Sequence, residues 1–280
     1  MNEPTANTPR PHSISWGRWG LRSAAISYLT LMVLMPIGSI VHYGFSGGVI
    51  GFWQEISNPV AADALRLTLI TAFIATVANA VMGTLTAMAI VRSEFAGKHL
   101  LNNLVDVPFA IPTLVTGVML VVLYGPQSAL GALLEPRGVR IIFAKPGIVL
   151  ALLLVTYPFV IRAVQPVLQQ LEKEQEEAAF TIGASRWTTF WRIILPEISP
   201  AVATGSLLNF ARALGEFGAI VLVAGNIPRQ TLTAAVHVYG QVESQNQRGA
   251  SAVSLLLLLV SFSLLLLVDR MQRRREVRRA

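Results

Sequence analysis

The most uniformly apolar segment, AVSLLLLLVSFSLLLLV at residues 252–268, places the strongest constraint on the fold. A run of this length matches the hydrocarbon core of a bilayer, which a helix of roughly 20 apolar residues can span. Only 13% of the 280 residues are charged, whereas soluble domains usually carry about 25%. The sequence therefore predicts an all-α polytopic membrane protein with about six transmembrane helices, near residues 22–43, 64–91, 104–124, 146–168, 199–224 and 249–269.

The distribution of Lys and Arg predicts the orientation of these spans. If both termini are cytoplasmic, the inner segments hold fifteen Lys and Arg residues and the outer segments hold five. Cytoplasmic loops normally carry such an excess, so an N-in, C-in topology is favoured. Three of the five outer cations lie in 125–145 and depart from this rule. The expected organisation is a cytoplasmic tail (1–21), a first transmembrane helix with an external loop (22–63), the main transmembrane domain (64–269) and a basic cytoplasmic tail (270–280).

The net charge of +7 does not indicate a nucleic-acid-binding protein. Six arginines lie in the last twelve residues, DRMQRRREVRRA, directly after the sixth predicted span. A basic segment at this position favours anionic lipid on the cytoplasmic side. Membrane lipids are therefore expected partners, and nucleic acid is not. The absence of cysteine excludes disulfides and thiolate metal sites.

One polar stretch, EEAAFTIGASRWTTFWRIILPE at residues 176–197, separates the fourth and fifth predicted spans. The spacing predicts a helix over 168–182, a helix end with positive φ at Gly183, and an N-cap at Ser185 for a second helix. Four residues of the first helix should share one face: Leu171, Ala178, Ala179 and Ile182.

The second helix of this stretch is predicted to be amphipathic. Its apolar stripe comprises Trp187, Phe190, Trp191, Ile194 and Leu195, with Thr188, Thr189 and Arg192 on the opposite side. Such a helix can insert into a groove on a partner protein. It can equally lie on the membrane surface or pack on its own bundle. The amphipathic pattern alone leaves both alternatives open.

The same stretch resembles the EAA signature of ABC importer permeases, EAA-x3-G-x9-I-x-LP. The matching positions are Glu177, Ala178, Ala179, Gly183, Ile193, Leu195 and Pro196. The resemblance implies that this cytoplasmic helix pair docks on the ATP-binding subunit, with Trp187, Phe190 and Trp191 as contact residues. It also implies two ATP-binding subunits, a second permease subunit and an extracytoplasmic binding protein as partners. ATP and magnesium would bind to the ATPase subunit, because this chain lacks a Walker A loop.

Within the ABC importer permeases, the chain looks most similar to the sulfate/thiosulfate group, and more to its T type than to its W type. The segments that carry this similarity are FAGKHLLNNLVDVPFAIPTLVTG, KPGIVLALLLVTYPFVIRAVQPVL and NFARALGEFGAIVLVAGNIP. The last segment is also similar to molybdate permeases, so a molybdate or tungstate importer is the alternative. The implied permease domain covers 64–269.

Four polar residues within the predicted spans are candidates for the translocation path or its gate. Arg212 and Glu216 are four residues apart and should pair, because an isolated charge inside a bilayer is costly. The pair can lie beside the anion path, or it can stabilise helix packing. Asn79 and Asn209 can line a pore, or they can donate hydrogen bonds between helices. Packing is the favoured alternative for both sets.

Two other functional classes fit the sequence less well. An intramembrane enzyme needs convergent catalytic groups, but the four histidines lie at span edges or outside, and Asp106 has no partner aspartate in another span. A non-transporting scaffold would not need Arg, Glu and Asn inside its spans. The sequence therefore predicts a non-enzymatic permease subunit in the bacterial inner membrane.

Overall fold

The computed structural model describes residues 16–171 and 173–279, with side chains described for 19–171 and 174–271. Every regular element in these residues is a helix. The helices are α1 (Trp16–Leu29), α2 (Met35–Gly44), α3 (Gly48–Ser57), α4 (Pro59–Arg92), α5 (Lys98–Leu104), α6 (Val107–Ala110), α7 (Thr113–Tyr124), α8 (Ala129–Leu134), α9 (Lys145–Gln170), α10 (Lys173–Thr181), α11 (Arg186–Thr189), α12 (Leu195–Leu214), α13 (Gly218–Val223), α14 (Ala234–Glu243) and α15 (Gln247–Arg279).

Five of the described helical segments are long and apolar enough to span a membrane: Trp19–Gly44, Pro59–Arg92, Lys145–Gln170, Arg186–Leu214 and Gln247–Met271. A bent pair, Lys98–Ala110 and Thr113–Tyr124, makes a sixth if it is counted as one span. The predicted all-α fold with about six transmembrane helices is confirmed. The sixth helix also continues past the predicted span, since its backbone remains helical to Arg279.

The helices α4, α9 and α12 form the centre of the bundle. One apolar cluster joins their ends near Arg92 and includes Ile90, Val160, Leu168 and Ile198, each almost fully buried. A second cluster lies nearer the start of α4 and includes Ala72 and Ala75. Small residues permit this close packing, since a Cβ at Gly83 would lie 3.0 Å from Cβ of Val160. The sequence could not specify which three spans form the centre, because all six are apolar.

The first span lies at the edge of the bundle. A π-helical turn at Thr30–Leu34 joins α1 and α2, and the most apolar window of this span has no buried residues. Its contact with the rest of the protein runs mainly through α2 against α15, where a Cβ on Gly44 would lie 3.5 Å from the backbone of Ser251. The remaining apolar surface of α1 is therefore available to lipid or to another membrane protein.

The third span is broken, as the prolines in it predict. The axes on either side of Ile111–Pro112 differ by 110°. Ile111 has φ −85° and ψ 126°, the extended conformation that a following proline imposes. Pro108 instead lies in the first turn of α6, where a missing N–H costs little. Pro158 lies inside α9, which remains helical from Lys145 to Gln170.

The predicted fifth span, 199–224, is not one continuous helix, because its helix ends at Leu214. The helical segment begins earlier, at Arg186, and ends at Leu214. Non-helical residues then separate it from the short helix α13. Pro196 lies in the first turn of α12 and Pro200 lies inside it, and neither proline interrupts the helix. The apolar pattern could not show the break at 215–217, because GAIVLV continues the hydrophobic run.

Candidate functional site: the helix pair between spans four and five and the buried polar groups

The polar stretch folds into the predicted helix, glycine turn and second helix. The first helix, α10, ends in a Schellman motif, in which N–H of Ala184 donates to the carbonyl of Ala179 at 3.0 Å and N–H of Gly183 donates to that of Phe180 at 3.0 Å. Gly183 has φ +85°, a conformation that glycine adopts without steric cost. Oγ of Ser185 accepts from N–H of Thr188 at 3.2 Å. The predicted glycine turn and serine cap are therefore confirmed.

The first helix of the pair is shorter than predicted. The segment expected to be helical over 168–182 is interrupted, because α9 ends at Gln170 and Leu171 is extended with ψ 116°. Arg92, at the end of α4, donates to the carbonyl of Leu171 at 3.2 Å. Its guanidinium also lies 2.5 Å from Glu176 in an ion pair whose two side chains are mostly buried. The interruption lets α10 leave the axis of α9 while Arg92 holds it against α4.

This anchor could not be predicted from the sequence. Arg92 and Glu176 are 84 positions apart along the chain and belong to different helices. The acidic run around Glu176 is typical of a solvated helix face. A tertiary contact of this kind has no local sequence signature.

The predicted apolar stripe of the second helix divides between two environments. Trp187 is 70% exposed and Trp191 is 51% exposed, whereas Ile194 is buried. Thr189, predicted on the polar side, is also buried. The reason is a π-helical turn at Phe190–Ile194, which inserts one residue and shifts the helix face that contacts the bundle.

The other predicted docking residues also divide by burial. Ala179 is buried, and Phe190, Ile193 and Leu195 are partly buried. Those that are exposed are Glu177, Ala178, Gly183 and Pro196. Ile182, predicted to share a packed face with Leu171, is 86% exposed. The buried residues position the helix pair, whereas the exposed residues form a surface.

This surface carries an aromatic cluster. The ring of Trp187 lies 5.6 Å from that of Trp191 in an edge-on arrangement, and Phe190 lies 5.5 Å from Trp191. Phe190 also packs against the buried cluster beneath it. Two exposed tryptophans, supported by a half-buried phenylalanine, are thus held in a defined orientation. Exposed aromatic clusters of this kind are typical of protein interfaces.

Arg212 and Glu216 form the predicted ion pair, at 2.8 Å. They do not belong to one continuous helix, because α12 ends between them at Leu214. Glu216 is 2% exposed, and its carboxylate also accepts from N–H of Ala219 at 2.9 Å. One carboxylate therefore caps the first turn of α13 and holds the last turn of α12. This geometry is that of a clamp across the break.

The glycines beside this pair have different surroundings. Gly218 lies against Thr113 and Leu114 of α7, where a Cβ would clash. The lack of a side chain at Gly218 therefore permits the close approach of α13 to α7. A Cβ at Gly215 would meet no atom within 4 Å.

Asn79 and Asn209 bond to each other in the bundle centre. The amide of Asn79 donates to Oδ1 of Asn209 at 3.1 Å and to Oγ1 of Thr156 at 3.0 Å. Asn209 in turn donates to Oγ1 of Thr76 at 2.9 Å. Both asparagines are almost fully buried. The network joins α4, α9 and α12, and its geometry favours the interhelix alternative over a pore-lining one.

A polar cluster holds the broken third span against α9. Arg162 donates two hydrogen bonds to Asp106, at 2.7 and 2.5 Å, and one to the carbonyl of Asn102 at 2.8 Å. Its Nη1 also donates to Gln165. The sequence pattern indicates only a membrane-edge position for Arg162, and it leaves Asp106 without a partner. The two residues are 56 positions apart and belong to different spans, so no local pattern predicts their contact.

Within the described residues, no group of three or more His, Asp or Glu side chains is arranged to hold a metal ion.

Comparison with known proteins identifies the family. Residues 79–277 match the model of the family described as "Binding-protein-dependent transport system inner membrane component". The sulfate transport system permease protein CysT of Synechocystis sp. is 42% identical over 247 residues, which covers 88% of this chain and 86% of that protein. A probable sulfate transport system permease protein from Chlorokybus atmophyticus is 40% identical, covering 86% of this chain and 84% of that protein.

Solved structures show the same fold at low sequence identity. A bacterial ABC transporter involved in the import of the acidic polysaccharide alginate aligns with a TM-score of 0.77 at 18% identity, covering 92% of this chain and 96% of that chain. The MetNI methionine ABC transporter aligns with a TM-score of 0.58 at 16% identity, covering 75% of this chain and 94% of that chain. The chain therefore belongs to the binding-protein-dependent inner membrane components, which are the multi-pass, non-enzymatic permease subunits of ABC importers.

Proposed function

We propose that this chain is the T-type permease subunit of an ATP-driven importer of sulfate and thiosulfate. The observation that carries the proposal is about 40% identity, over more than four fifths of each chain, to proteins named as sulfate permeases. These names favour sulfate over the molybdate alternative. The permease domain comprises 64–269. It is preceded by a cytoplasmic tail at 1–21 and by the first helix and its loop at 22–63, and it is followed by a basic tail at 270–280.

We infer that the exposed surface of the helix pair docks on the ATP-binding subunit. The surface is defined by Glu177, Ala178, Trp187 and Trp191, with Phe190 beneath them. Two observations support this role: the match to the EAA signature and the aromatic cluster that remains exposed in the folded chain. Gly183 and Pro196 are also exposed and belong to this docking element, whereas the buried or partly buried Ala179, Ile193 and Leu195 keep the two helices in place. The docked ATPase, one copy for each of two permeases, binds ATP and magnesium.

This assignment implies the remaining partners and the topology. The helix pair lies in the cytoplasm, with both chain termini on the same side. A second permease subunit completes the translocation path, and an extracytoplasmic sulfate-binding protein delivers the anion. Arg212, Glu216, Asn79 and Asn209 support the transmembrane bundle.

Uptake of radiolabelled sulfate tests the proposal. A strain lacking its own sulfate permeases is supplied with this chain, its sister permease, the ATPase and the binding protein. We expect ATP-dependent sulfate uptake that excess thiosulfate inhibits and equimolar molybdate does not. Uptake of molybdate with no uptake of sulfate would contradict the substrate assignment and would leave the permease family unaffected.

A further inference from the structure

A basic pocket lies at the end of the bundle opposite the helix pair. It is lined by Arg66, Lys145, Arg229 and Asp63, and it encloses a cavity of about 330 Å³. Arg66 precedes Arg92 by 26 residues in α4, which at 1.5 Å per residue is roughly 39 Å along the helix. That distance is comparable to the bilayer thickness. If the helix pair is cytoplasmic, the pocket opens on the external face.

The cations of this pocket are only partly compensated. Nε of Arg229 lies 3.0 Å from Oδ2 of Asp63. Arg66 and Lys145 have no carboxylate within 4 Å among the residues described by the structure. Three positive side chains therefore face one negative side chain. A concave site with an excess of one sign concentrates ligands of the opposite charge.

The backbone around Arg229 forms a closed loop. Arg229 has φ +63°, which is uncommon for a residue with a bulky side chain. Three consecutive amides, of Gln230, Thr231 and Leu232, donate to the carbonyl of Ile227 at 3.0 to 3.1 Å. The loop is thus closed on itself with Arg229 at its tip, and Asp63 orients the guanidinium. Strained residues held by their surroundings frequently lie at functional sites.

The floor of the pocket connects it to the interior of the bundle. Leu67 and Leu232 line the pocket and pack against the buried cluster that contains Ala213 and Leu214. Arg212, which is 36% exposed, is the adjacent residue of that helix. The pocket floor is thus continuous with the buried cluster to which the end of α12 belongs.

The position of these cations also explains an anomaly of the sequence. Lys145 and Arg229 are two of the five cations predicted on the external side, where the positive-inside rule disfavours them. Pairing with carboxylates does not explain the external position of these cations, since Asp63 compensates only one of the positive charges. A role in holding an anion gives a physical reason for external positive charge.

From these observations we propose that the basic pocket is an external anion-binding vestibule, which receives the oxyanion from the binding protein before it enters the bundle. Arg66, Lys145 and Arg229 donate hydrogen bonds and positive charge to the oxyanion, and Asp63 orients Arg229. The inference rests on the proposed function for the identity of the anion, sulfate. It does not depend on that function for the class of ligand, a small oxyanion.

The chain contains no cysteine, so a single introduced thiol tests the vestibule directly. In Lys145→Cys, assembled with its partners, the thiol is modified with a cationic aminoethyl or an anionic sulfonatoethyl methanethiosulfonate. We expect the pocket to favour the anionic reagent. The ratio of the anionic to the cationic reaction rate should be at least about tenfold higher at Lys145→Cys than at a cysteine outside the pocket. Added sulfate should slow the reaction. Sulfate uptake should recover after cationic modification and be lost after anionic modification.

The matched control is Arg137→Cys. Arg137 is an external cation outside the pocket, whose guanidinium donates to the carbonyl of Leu133 at 2.9 Å. Because both arms modify protein that has already assembled, a folding defect cannot produce the difference. Equal reagent preference at the two positions would overturn the vestibule. Weaker binding-protein docking in parallel with the loss of uptake would also overturn it, since the cations would then serve a protein interface.

The two proposals can fail separately. If wild-type complexes take up no sulfate but the anionic preference at Lys145→Cys persists, the substrate assignment fails and the anion site stands. If wild-type complexes take up sulfate and both modified forms of Lys145→Cys do so equally, the vestibule fails and the sulfate importer stands.

Discussion

At the residue scale, Gly183 has the clearest link between backbone geometry and expected function. Its φ of +85° closes the Schellman motif that turns α10 into α11. A Cβ at this position would meet no atom within 4 Å. Any effect of substitution therefore comes from backbone strain and not from a steric clash with a neighbour.

Gly183→Val is expected to weaken attachment of the ATPase subunit. A β-branched residue in the left-handed region costs roughly 1–2 kcal/mol or more, so the helix pair should lose its defined turn. Co-purification of the ATPase with the tagged permease measures the effect. Gly215→Ala is the matched control, because Gly215 has φ −94° and equally open surroundings. Wild-type recovery of the ATPase with Gly183→Val would contradict the role of the turn.

Glu216 is the residue on which the clamp between α12 and α13 depends. Glu216→Ala removes the partner of Arg212 and the acceptor for N–H of Ala219. Breaking a buried ion pair costs about 3–5 kcal/mol, and the partial exposure of Arg212 should reduce this to about 1–3 kcal/mol. We expect a lower thermal midpoint of the detergent-solubilised complex, measured by size-exclusion chromatography after heating. Glu174→Ala, which removes an exposed carboxylate, should leave it unchanged.

A double variant separates structure from transport at the same pair. Arg212→Gln with Glu216→Gln removes both charges and retains hydrogen-bonding groups. If the pair is structural, the double variant should be more stable and take up more sulfate than Arg212→Gln or Glu216→Gln alone. Recovered stability without uptake would instead assign Arg212 to the anion path.

At the scale of elements, the helix pair combines an anchored base with an exposed aromatic end. Arg92 and Glu176 hold α10 on α4, and Thr189 and Ile194 hold the second helix on the bundle. Because the second helix is continuous with α12, a force on its exposed end acts on a helix of the bundle centre. This continuity provides a mechanical connection between a docked ATPase and the transmembrane core.

Replacing Trp187 and Trp191 with Ala should release the ATPase while leaving the membrane fold intact. Both side chains are more than half exposed, so their loss should cost the bundle little, whereas aromatic anchors at interfaces often contribute about 2 kcal/mol or more each. Co-purification of the ATPase and the elution profile of the permease are measured together. Trp53→Ala, at an exposed tryptophan on α3, is the control. Retention of the ATPase by the double variant would exclude this docking surface.

Span prediction succeeded where packing did not interrupt the apolar pattern. The second and fourth predicted spans, 64–91 and 146–168, lie inside α4 and α9. The fifth failed because its break depends on Glu216, which bonds backward to Arg212 and forward to Ala219. Likewise, the stripe of the second helix was divided by a π turn. Both features arise from contacts that residue periodicity does not describe.

At the scale of the whole molecule, the two ends of the bundle have distinct chemistry. One end carries the exposed aromatic surface, and the other carries the basic pocket. The buried network of Asn79 and Asn209 lies between them and joins the three central helices. Such an arrangement suits a subunit that receives an anion at one face and a mechanical input at the other.

The proposed topology is testable because the native chain has no cysteine. Ser244→Cys and Gln175→Cys place single thiols at exposed positions at opposite ends of the bundle. In intact spheroplasts, a membrane-impermeant maleimide should label Ser244→Cys and should label Gln175→Cys only after permeabilisation. The reverse labelling pattern would show that the chain has the opposite orientation, with the helix pair outside.

The sequence by itself determined the membrane class, the number of spans, the glycine turn and the resemblance to importer permeases. These features depend on local composition, on periodicity or on a short motif, and each is written in contiguous residues. Only the tertiary structure decided that Arg92 anchors Glu176, that Arg162 binds Asp106, and that Arg66, Lys145 and Arg229 share one pocket. These groupings join residues from separate helices. In a chain whose spans are all apolar, the interdigitation of side chains, and not hydrophobicity, selects which helices meet.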